Sequence, residues 1–201
     1  IKDLAKEYAD LNGDSLVNVS AEERKKALVD YALPKNIKKM QADMEKYKIF
    51  YDKWFFESEL HKSGAVKAVV NLLTEKGLTY EKDGAVWYKN KEVLTQKLLK
   101  EGKSQKYIDN LELKDDVLIR QNGNPTYFTA DIAYHKNKFD RGFTTLIDVW
   151  GADHHGHVMR MKGAMDAIGY DGDKLNVVLM QLVKLVKDGE LVKMSKRTGK
   201  A

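Results

Sequence analysis

Leu-Ile-Asp-Val-Trp-Gly-Ala-Asp-His-His-Gly-His, residues 146–157, gives the clearest indication of the fold. Its first part, Leu146–Trp150, has the composition of a buried strand, and Gly151 permits a tight turn after it. Helical spacing then begins, with apolar residues at Val158, Met161, Met165 and Ile168. Ligands bind at the carboxyl ends of strands in open α/β sheets, and a helix that begins there favours anions. The stretch therefore predicts a central parallel strand with a nucleotide site at residues 151–157.

The composition favours a packed domain in a reducing compartment. Of the 201 residues, 43% are hydrophobic, two are prolines and none is cysteine. Disulfides and cysteine-ligated zinc are therefore excluded. The net charge of +5 is spread along the chain, which is weak support for a polyanionic partner. No apolar run has the length of a membrane span and no signal peptide opens the chain, so we expect a cytoplasmic protein without a membrane partner.

Residues 1–114 predict a connective insertion made of helices, a hairpin and a lysine-rich excursion at about 89–113. Ser20 and Glu23 have the spacing of a capping box, and Pro34 is expected to interrupt the helix that this box begins. Asp83-Gly84 between strand-like runs predicts the hairpin. The lysine-rich excursion is expected to lie at the surface. Residues 115–201 predict an α/β domain with a parallel sheet and flanking helices.

A second motif, Lys193-Met-Ser-Lys196, follows a hairpin predicted to turn at Asp188-Gly189. Two lysines three residues apart on a loop can hold two phosphate oxygens at once. Their mobile ammonium groups suit the negative charge that develops on a departing pyrophosphate. Taken alone, a short basic loop is usually plain surface, so its meaning depends on the predicted nucleotide site that precedes it.

Both motifs resemble those of class I aminoacyl-tRNA synthetases. Lys-Met-Ser-Lys is a signature of that class, and Gly151-Ala-Asp-His-His-Gly-His157 is similar to its Gly-x-Asp-x-x-x-His element. Together with Thr126-Tyr-Phe-Thr-Ala-Asp-Ile-Ala-Tyr-His135, they resemble bacterial arginyl-tRNA synthetases over nearly the whole chain. The resemblance implies the second half of a Rossmann-like catalytic domain that ends in the Lys-Met-Ser-Lys loop.

The resemblance also implies roles for individual residues. Tyr127, Asp131 and His154 match positions that bind arginine. The positions that match ATP-binding residues are Gly151, Asp153, His157, Lys193, Ser195 and Lys196. Lys193 and Lys196 are the residues that would act in catalysis. The four-residue spacing of Tyr127 and Asp131 would place both on one helical face, and a carboxylate pairs well with a planar guanidinium.

The implied reaction is the ATP-dependent activation of L-arginine to arginyl-adenylate, followed by transfer to tRNA, with Mg²⁺ accompanying ATP and a monomeric enzyme. The chain is expected to be a fragment, because it starts at Ile1 without methionine and stops inside a motif. The family's His-x-Gly-His signature is expected before Ile1. His154-His-Gly-His157 matches that signature by letter but lies too near Lys193 to be its equivalent. We therefore expect the fragment alone to be inactive.

Two other functions remain open, and the first of them uses the same residues. A metal-dependent hydrolase could draw its ligands from Asp153, His154, His155 and His157, since imidazole and carboxylate suit zinc or manganese. A non-catalytic scaffold or RNA-binding fragment would need only the charged helices. For Asp131, the ordinary alternative is a carboxylate that caps the start of a helix.

Overall fold

The computed structural model describes residues 1–181 and 183–192, and it divides into two compact units. The first unit, residues 1–55, contains helix α1 (Lys2–Asn12) and helix α2 (Ala21–Lys46). The predicted capping box is confirmed, because the Ser20 side chain accepts from the Glu23 backbone and the Glu23 carboxylate accepts from the Ser20 backbone.

The expectation that Pro34 interrupts the second helix is wrong. α2 runs through this proline without a break. A proline removes one backbone hydrogen bond and crowds the preceding turn, which usually bends or ends a helix. Here more than three turns of helix lie on each side of Pro34, and both α2 halves carry good helix formers, so the loss of one bond is tolerated.

The second unit, residues 56–201, begins with two helices and an antiparallel sheet. The helices are α3 (Glu57–Lys62) and α4 (Ala65–Glu75), and the sheet has the order β1 (Thr79–Lys82), β2 (Ala85–Tyr88) and β3 (Asp116–Ile119). The hairpin predicted at Asp83-Gly84 is confirmed. Both turn residues have positive φ, at 53° and 70°, which is the geometry that an Asp-Gly pair favours.

The chain between β2 and β3 forms helix α5 (Asn90–Lys100) and helix α6 (Gln105–Asp109). The prediction that this lysine-rich stretch lies at the surface is wrong for its apolar side. Leu94, Leu98 and Ile108 are buried, and α5 packs against a later helix of the same unit. Leu94 and Leu98 are four residues apart and share the face of α5 that belongs to the core, while the face with Lys91 and Lys100 is solvated.

The remaining elements form the parallel α/β part: helix α7 (Tyr127–Asp140), strand β4 (Leu146–Gly151), helix α8 (His155–Ala167) and strand β5 (Leu175–Met180). β4 and β5 pair in parallel with α8 between them in sequence, which confirms the predicted α/β class. The hairpin predicted at Asp188-Gly189 is also confirmed, between β6 (Leu185–Lys187) and β7 (Glu190–Val192).

The core of this unit lies where α7 and α8 pack on each other and on α4 and α5. The side chains that are completely shielded from solvent there include Leu73, Leu118, Ile132, Met161, Met165 and Leu175. The opposite face of the β4–β5 pair is apolar and exposed through Ile147, Val149, Val178 and Met180. Of the helices in the described ranges, none combines the length and the apolarity required to cross a bilayer.

Candidate active site

A cavity of about 850 Å³ lies between the start of α7, the start of α8 and the chain around α5. Among the residues that line it are Tyr127, Asp131, Asp153, His154, His155, His157 and Arg160. The fold thus brings together residues from two separate predicted motifs, Tyr127 and Asp131 from the first and residues 153–157 from the second, whereas Gly151 is not among the lining residues. A cavity of this size, with several polar groups converging on it, has the properties of a small-molecule site.

The predicted strand, turn and helix are present at residues 146–157. β4 ends at Gly151, a single 3₁₀ turn covers Ala152–His154, and α8 begins at His155. The absence of a side chain at Gly151 leaves room for the Asp153 carboxylate beside it. A Cβ there would lie 2.4 Å from Oδ1 of Asp153, so any larger residue would require this carboxylate to move from its present position. The Asp153 side chain itself stays mostly exposed, which leaves its oxygens available to a ligand.

Helix α7 presents Tyr127 and Asp131 to the cavity. Its N-cap is Thr126, whose hydroxyl accepts from the backbone of Thr129. Asp131 is therefore the fifth residue of the helix, and the alternative in which it only caps the helix start is wrong. Tyr127 is 78% exposed at the cavity mouth, so neither side chain is committed to the protein core.

Asp131 is connected to a chain of polar side chains that the sequence did not predict. Nε2 of His157 lies 3.3 Å from Oδ2 of Asp131, and Nη2 of Arg160 donates to Nδ1 of the same histidine at 2.8 Å. Nη1 of Arg160 donates to Oδ1 of Asp116 at 2.5 Å. The chain of contacts joins α7, α8 and β3. We call these four residues the Asp131 network.

Asp116, at the far end of the Asp131 network, is a partly buried carboxylate. Burial raises its pKa above the usual range, against the opposing effect of the Arg160 guanidinium. Its Oδ2 has no hydrogen-bond partner within the described part of the chain. The sequence offered one weak signal for this network, because Arg160 follows His157 by three residues and therefore shares its side of α8. Nothing in the sequence indicated that β3 would supply the partner.

A second cluster, made of His135, Lys138 and Asp148, holds α7 against the buried side of β4. Asp148 lies on the buried side of β4, and its two oxygens accept from Nε2 of His135 at 2.5 Å and from Nζ of Lys138 at 2.6 Å. Nδ1 of His135 donates to the backbone carbonyl of Asp131 at 2.7 Å. Burial would raise the pKa of Asp148, but the hydrogen bonds from His135 and Lys138 outweigh it and hold this pKa below the usual value. The cluster therefore holds the main chain at Asp131 in place.

The wall of the cavity opposite α7 comes from the stretch predicted to lie at the surface. Asn90 and Leu94 of α5 line it together with residues 111–114. Asn90 is buried and donates from Nδ2 to the carbonyl of Lys114. The lysine-rich stretch is therefore part of the site, which its composition alone did not reveal.

Within the described residues, no three His, Asp or Glu side chains stand close enough together to hold a metal ion. Asp153 and His154 approach each other at 3.8 Å on an open surface, whereas His157 is engaged with Arg160. The metal-hydrolase alternative thus lacks a ligand set there. The remaining predicted site residues, Lys193, Ser195 and Lys196, lie outside the described residues.

Curated relatives match the chain along its full length. It is 54% identical over 201 residues to the arginine–tRNA ligase of Caldanaerobacter subterraneus subsp. tengcongensis, of which it covers 33%. It is 50% identical over 197 residues, 98% of this chain, to the arginine–tRNA ligase of Ruminiclostridium cellulolyticum, of which it covers 32%. The chain spans about a third of the length of these relatives. No protein-family model matches it.

Solved structures agree with the sequence relatives. A structure from Campylobacter jejuni that is named as an arginyl-tRNA synthetase superposes with a TM-score of 0.73 at 36% identity, over 96% of this chain and 38% of its own. The arginyl-tRNA synthetase of Thermus thermophilus superposes with a TM-score of 0.61 at 18% identity, over 90% of this chain and 34% of its own. The second likeness is evidence for the fold alone.

Proposed function

We propose that this chain, which is homologous to a stretch of the arginine–tRNA ligases, is part of the catalytic domain of such an enzyme. The whole enzyme would activate arginine with ATP and transfer it to tRNA. The observation that carries the proposal is the meeting of Tyr127 and Asp131 with residues 153–157 around one cavity. Two motifs that are separate in sequence thereby share one binding space, at the end of a parallel strand where nucleotides bind in α/β folds.

The reaction needs positioning and charge stabilisation, but no nucleophile from the protein. The arginine carboxylate attacks the α-phosphate of ATP, pyrophosphate leaves, and a ribose hydroxyl of tRNA then displaces AMP from the activated carboxyl. Holding two reactants in line can supply about 7–11 kcal/mol of the barrier reduction. Magnesium is expected to accompany ATP through its phosphates. Because the described residues contain no ready set of metal ligands, we assign it no protein ligand.

Arginine would enter with its guanidinium toward α7. A guanidinium is a planar fork of donors, which a carboxylate meets with two acceptors and a phenol with one. Asp131, whose Oδ2 also faces His157, and the exposed Tyr127 offer acceptors on one face of α7, and His154 lines the same cavity. Since α7 is held to β4 through His135 and Asp148, these acceptors keep a fixed distance from the nucleotide end of the cavity.

ATP would lie across the end of β4. We propose that the small Gly151 leaves room for the nucleotide and that the exposed carboxylate of Asp153 binds the ribose hydroxyls, a role that rests on the sequence motif. We propose that Lys193 and Lys196 stabilise the charge on the departing pyrophosphate, with Ser195 as a further phosphate contact; these roles rest on the sequence motif. The predicted contact of His157 with ATP also remains a prediction, and its hydrogen bonds with Asp131 and Arg160 point instead to the arginine end.

The bare face of the β4–β5 pair supports the proposal that more protein completes the site. Parallel sheets are almost always covered on both faces, because both faces are apolar. Here Ile147 and Val149 of β4 continue into Val178 and Met180 of β5 as one exposed apolar surface. We propose that the remainder of a longer ligase covers this surface and supplies the missing half of the nucleotide site. Residues 1–201 alone should then show no arginine activation.

Asp131→Asn in the complete ligase tests the proposed function. The substitution keeps the shape of the side chain but removes its charge and one acceptor for the guanidinium. Loss of a charged hydrogen bond in a closed site costs roughly 3 kcal/mol, which is about a hundredfold in kcat/KM for arginine. The kinetics of arginine-dependent pyrophosphate exchange would show it as a rise in arginine KM with little change for ATP.

Asp140→Asn is the matched control, because Asp140 lies at the end of the same helix and pairs with Lys136 at the surface. It should leave the arginine kinetics within about twofold, since exposed ion pairs contribute at most about 1 kcal/mol. If Asp131→Asn changes arginine kcat/KM by less than about tenfold with unchanged stability, Asp131 does not face arginine. The monomeric state and the cytoplasmic location remain predictions from the sequence.

A further inference from the structure

We infer that Arg160 and Asp116 are positioning residues for arginine recognition, which act through His157 to fix the direction of the Asp131 carboxylate. The inference rests on the proposed function, because it takes Asp131 as the residue that meets the substrate guanidinium. Neither Arg160 nor Asp116 belongs to the sequence motifs that suggested the site. Both line the same cavity as Asp131.

The guanidinium of Arg160 determines which atoms of the Asp131 network donate hydrogen bonds and which accept them. Arg160 can only donate hydrogen bonds, so Nδ1 of His157 at 2.8 Å has to accept. The ring hydrogen of a neutral imidazole then lies on Nε2, which faces Oδ2 of Asp131 at 3.3 Å. Arg160 thereby selects the histidine tautomer that donates toward the carboxylate.

One oxygen of Asp131 is occupied by this arrangement and the other is left for a ligand. Within the described part of the chain, the only side chain that bonds to Asp131 is His157, through Oδ2. The second oxygen, Oδ1, is therefore available at the cavity. A carboxylate held at one oxygen cannot turn freely about its last bond, so the open oxygen points in a set direction.

Ring packing keeps His157 from turning away. Its ring meets Phe128 edge-on, with 5.5 Å between centroids, and lies against Trp150 at 5.3 Å. The guanidinium of Arg160 lies over the same Phe128 ring at 5.3 Å. Because Phe128 contacts both partners, neither the imidazole nor the guanidinium can leave the pair without losing its aromatic contact.

The far end of the network needs an arginine and a carboxylate. A guanidinium has donors on a rigid plane, so Nη1 and Nη2 of Arg160 can reach Asp116 and His157 at the same time. A lysine is a single point charge and would meet one of these acceptors poorly. Asp116 lies on β3, which pairs with β2. Through Arg160 and His157, Asp116 therefore fixes the position of the Asp131 carboxylate relative to the antiparallel sheet.

The test is Arg160→Lys in the complete ligase, measured by arginine-dependent pyrophosphate exchange. The lysine keeps a positive charge beside Asp116 but loses the fork that reaches His157. We expect the arginine KM to rise about tenfold to a hundredfold, as for loss of one charged hydrogen bond, with the ATP KM within about twofold. Lys162→Arg, on the same helix and facing Asp173, is the matched control and should change neither constant.

A double-mutant cycle with Asp131→Asn separates positioning from general structural damage. If Arg160 acts through Asp131, the effect of Arg160→Lys should shrink to about twofold or less in the Asp131→Asn background. The same fold-change in both backgrounds would overturn the inference. So would equal rises in the KM for arginine and for ATP together with a lower melting temperature.

Asp116→Asn keeps the measurement possible if Arg160→Lys does not fold. It preserves the shape at β3 and removes the charge that anchors Arg160, so the arginine KM should rise in the same direction by about threefold or more. If Asp131→Asn weakens arginine binding while neither Arg160→Lys nor Asp116→Asn does, only this inference fails. If Asp131→Asn itself has no effect, the proposed arginine site fails as well.

Discussion

Within the buried cluster of His135, Asp148 and Lys138, we expect substitution of the charged Asp148 to destabilise the fold less than substitution of His135. In Asp148→Asn, the amide oxygen can accept from Lys138 while the amide nitrogen donates to Nε2 of His135, which requires that Nε2, a donor to Asp148 in the wild type, gives up its hydrogen. The hydrogen on Nδ1 still reaches the carbonyl of Asp131. All three contacts survive, and only the ionic part is lost, so the cost should be about 1 kcal/mol.

Substitution of the histidine should cost more. His135→Leu has a similar volume but removes the donors to both Asp148 and the Asp131 carbonyl in a site where His135 is only 3% exposed. Removing one partner of a buried pair costs about 3–5 kcal/mol when the other charge is orphaned. Asp148 keeps Lys138 at 2.6 Å and is not orphaned, so we expect a cost at or just below the low end of this range, about 2–3 kcal/mol.

Hydrogen exchange of the α7 amides in the complete protein measures these costs locally. If the amides exchange through opening of this helix, His135→Leu should accelerate exchange about thirtyfold or more and Asp148→Asn about fivefold. His61→Leu, at a surface pair with Glu57, is the matched control and should leave α7 unchanged. Equal acceleration by Asp148→Asn and His135→Leu would refute the reasoning, because it would mean that the charge of Asp148 is essential and that an amide cannot replace it.

Two other perturbations test the packing and the electrostatics of the same unit. Gly163→Ala would place its Cβ 2.6 Å from Cδ2 of the buried Leu94, so the crowding cost of about 1–3 kcal/mol should exceed the gain in helix propensity of about 1 kcal/mol and lower the melting temperature. Gly156→Ala is the control on the same helix, because its Cβ meets no atom within 4 Å and should not lower the melting temperature. Adding Leu94→Ala to Gly163→Ala should relieve part of the crowding. Because the folded-state pKa of Asp148 is lowered, its contribution to stability is present above the unfolded value near 3.8 and is lost as the pH falls through the folded pKa. Melting temperatures of the wild type and Asp148→Asn should therefore converge on acidification, and a constant difference down to pH 3 would contradict the lowered pKa.

Local signals in the sequence were sufficient for the strand, turn and helix at residues 146–157 and for both hairpins. A two-residue Asp-Gly turn needs two positive φ angles, and few other pairs supply them, so the prediction at Asp83-Gly84 depended on two residues only. The signal for Asp148 was also present. Asp148 lies two residues after Leu146 and therefore faces the same buried side of β4, and a buried carboxylate requires a hydrogen-bond or ionic partner.

The contacts that complete the candidate site could not be predicted in this way. Arg160 and Asp116 are 44 residues apart, and no periodic pattern connects a helix on one side of the cavity with a strand of another sheet. The prediction that α5 lies at the surface was wrong for a related reason. Its lysines dominate its composition, whereas its position depends on Leu94 meeting Gly163 of α8, a fit of shape between distant residues.

The bare apolar face of the β4–β5 pair has a consequence for how the polypeptide is made. Strand β5, Leu-Asn-Val-Val-Leu-Met, carries no charge and no proline, and among the described residues it pairs only with β4. Short uncharged segments of this kind can stack into intermolecular sheets when they are left uncovered. As the chain emerges from the ribosome, this strand is at risk of aggregation until other protein surface covers it. Overexpression of residues 1–201 alone should accordingly yield inclusion bodies, and shielding by a chaperone should reduce them.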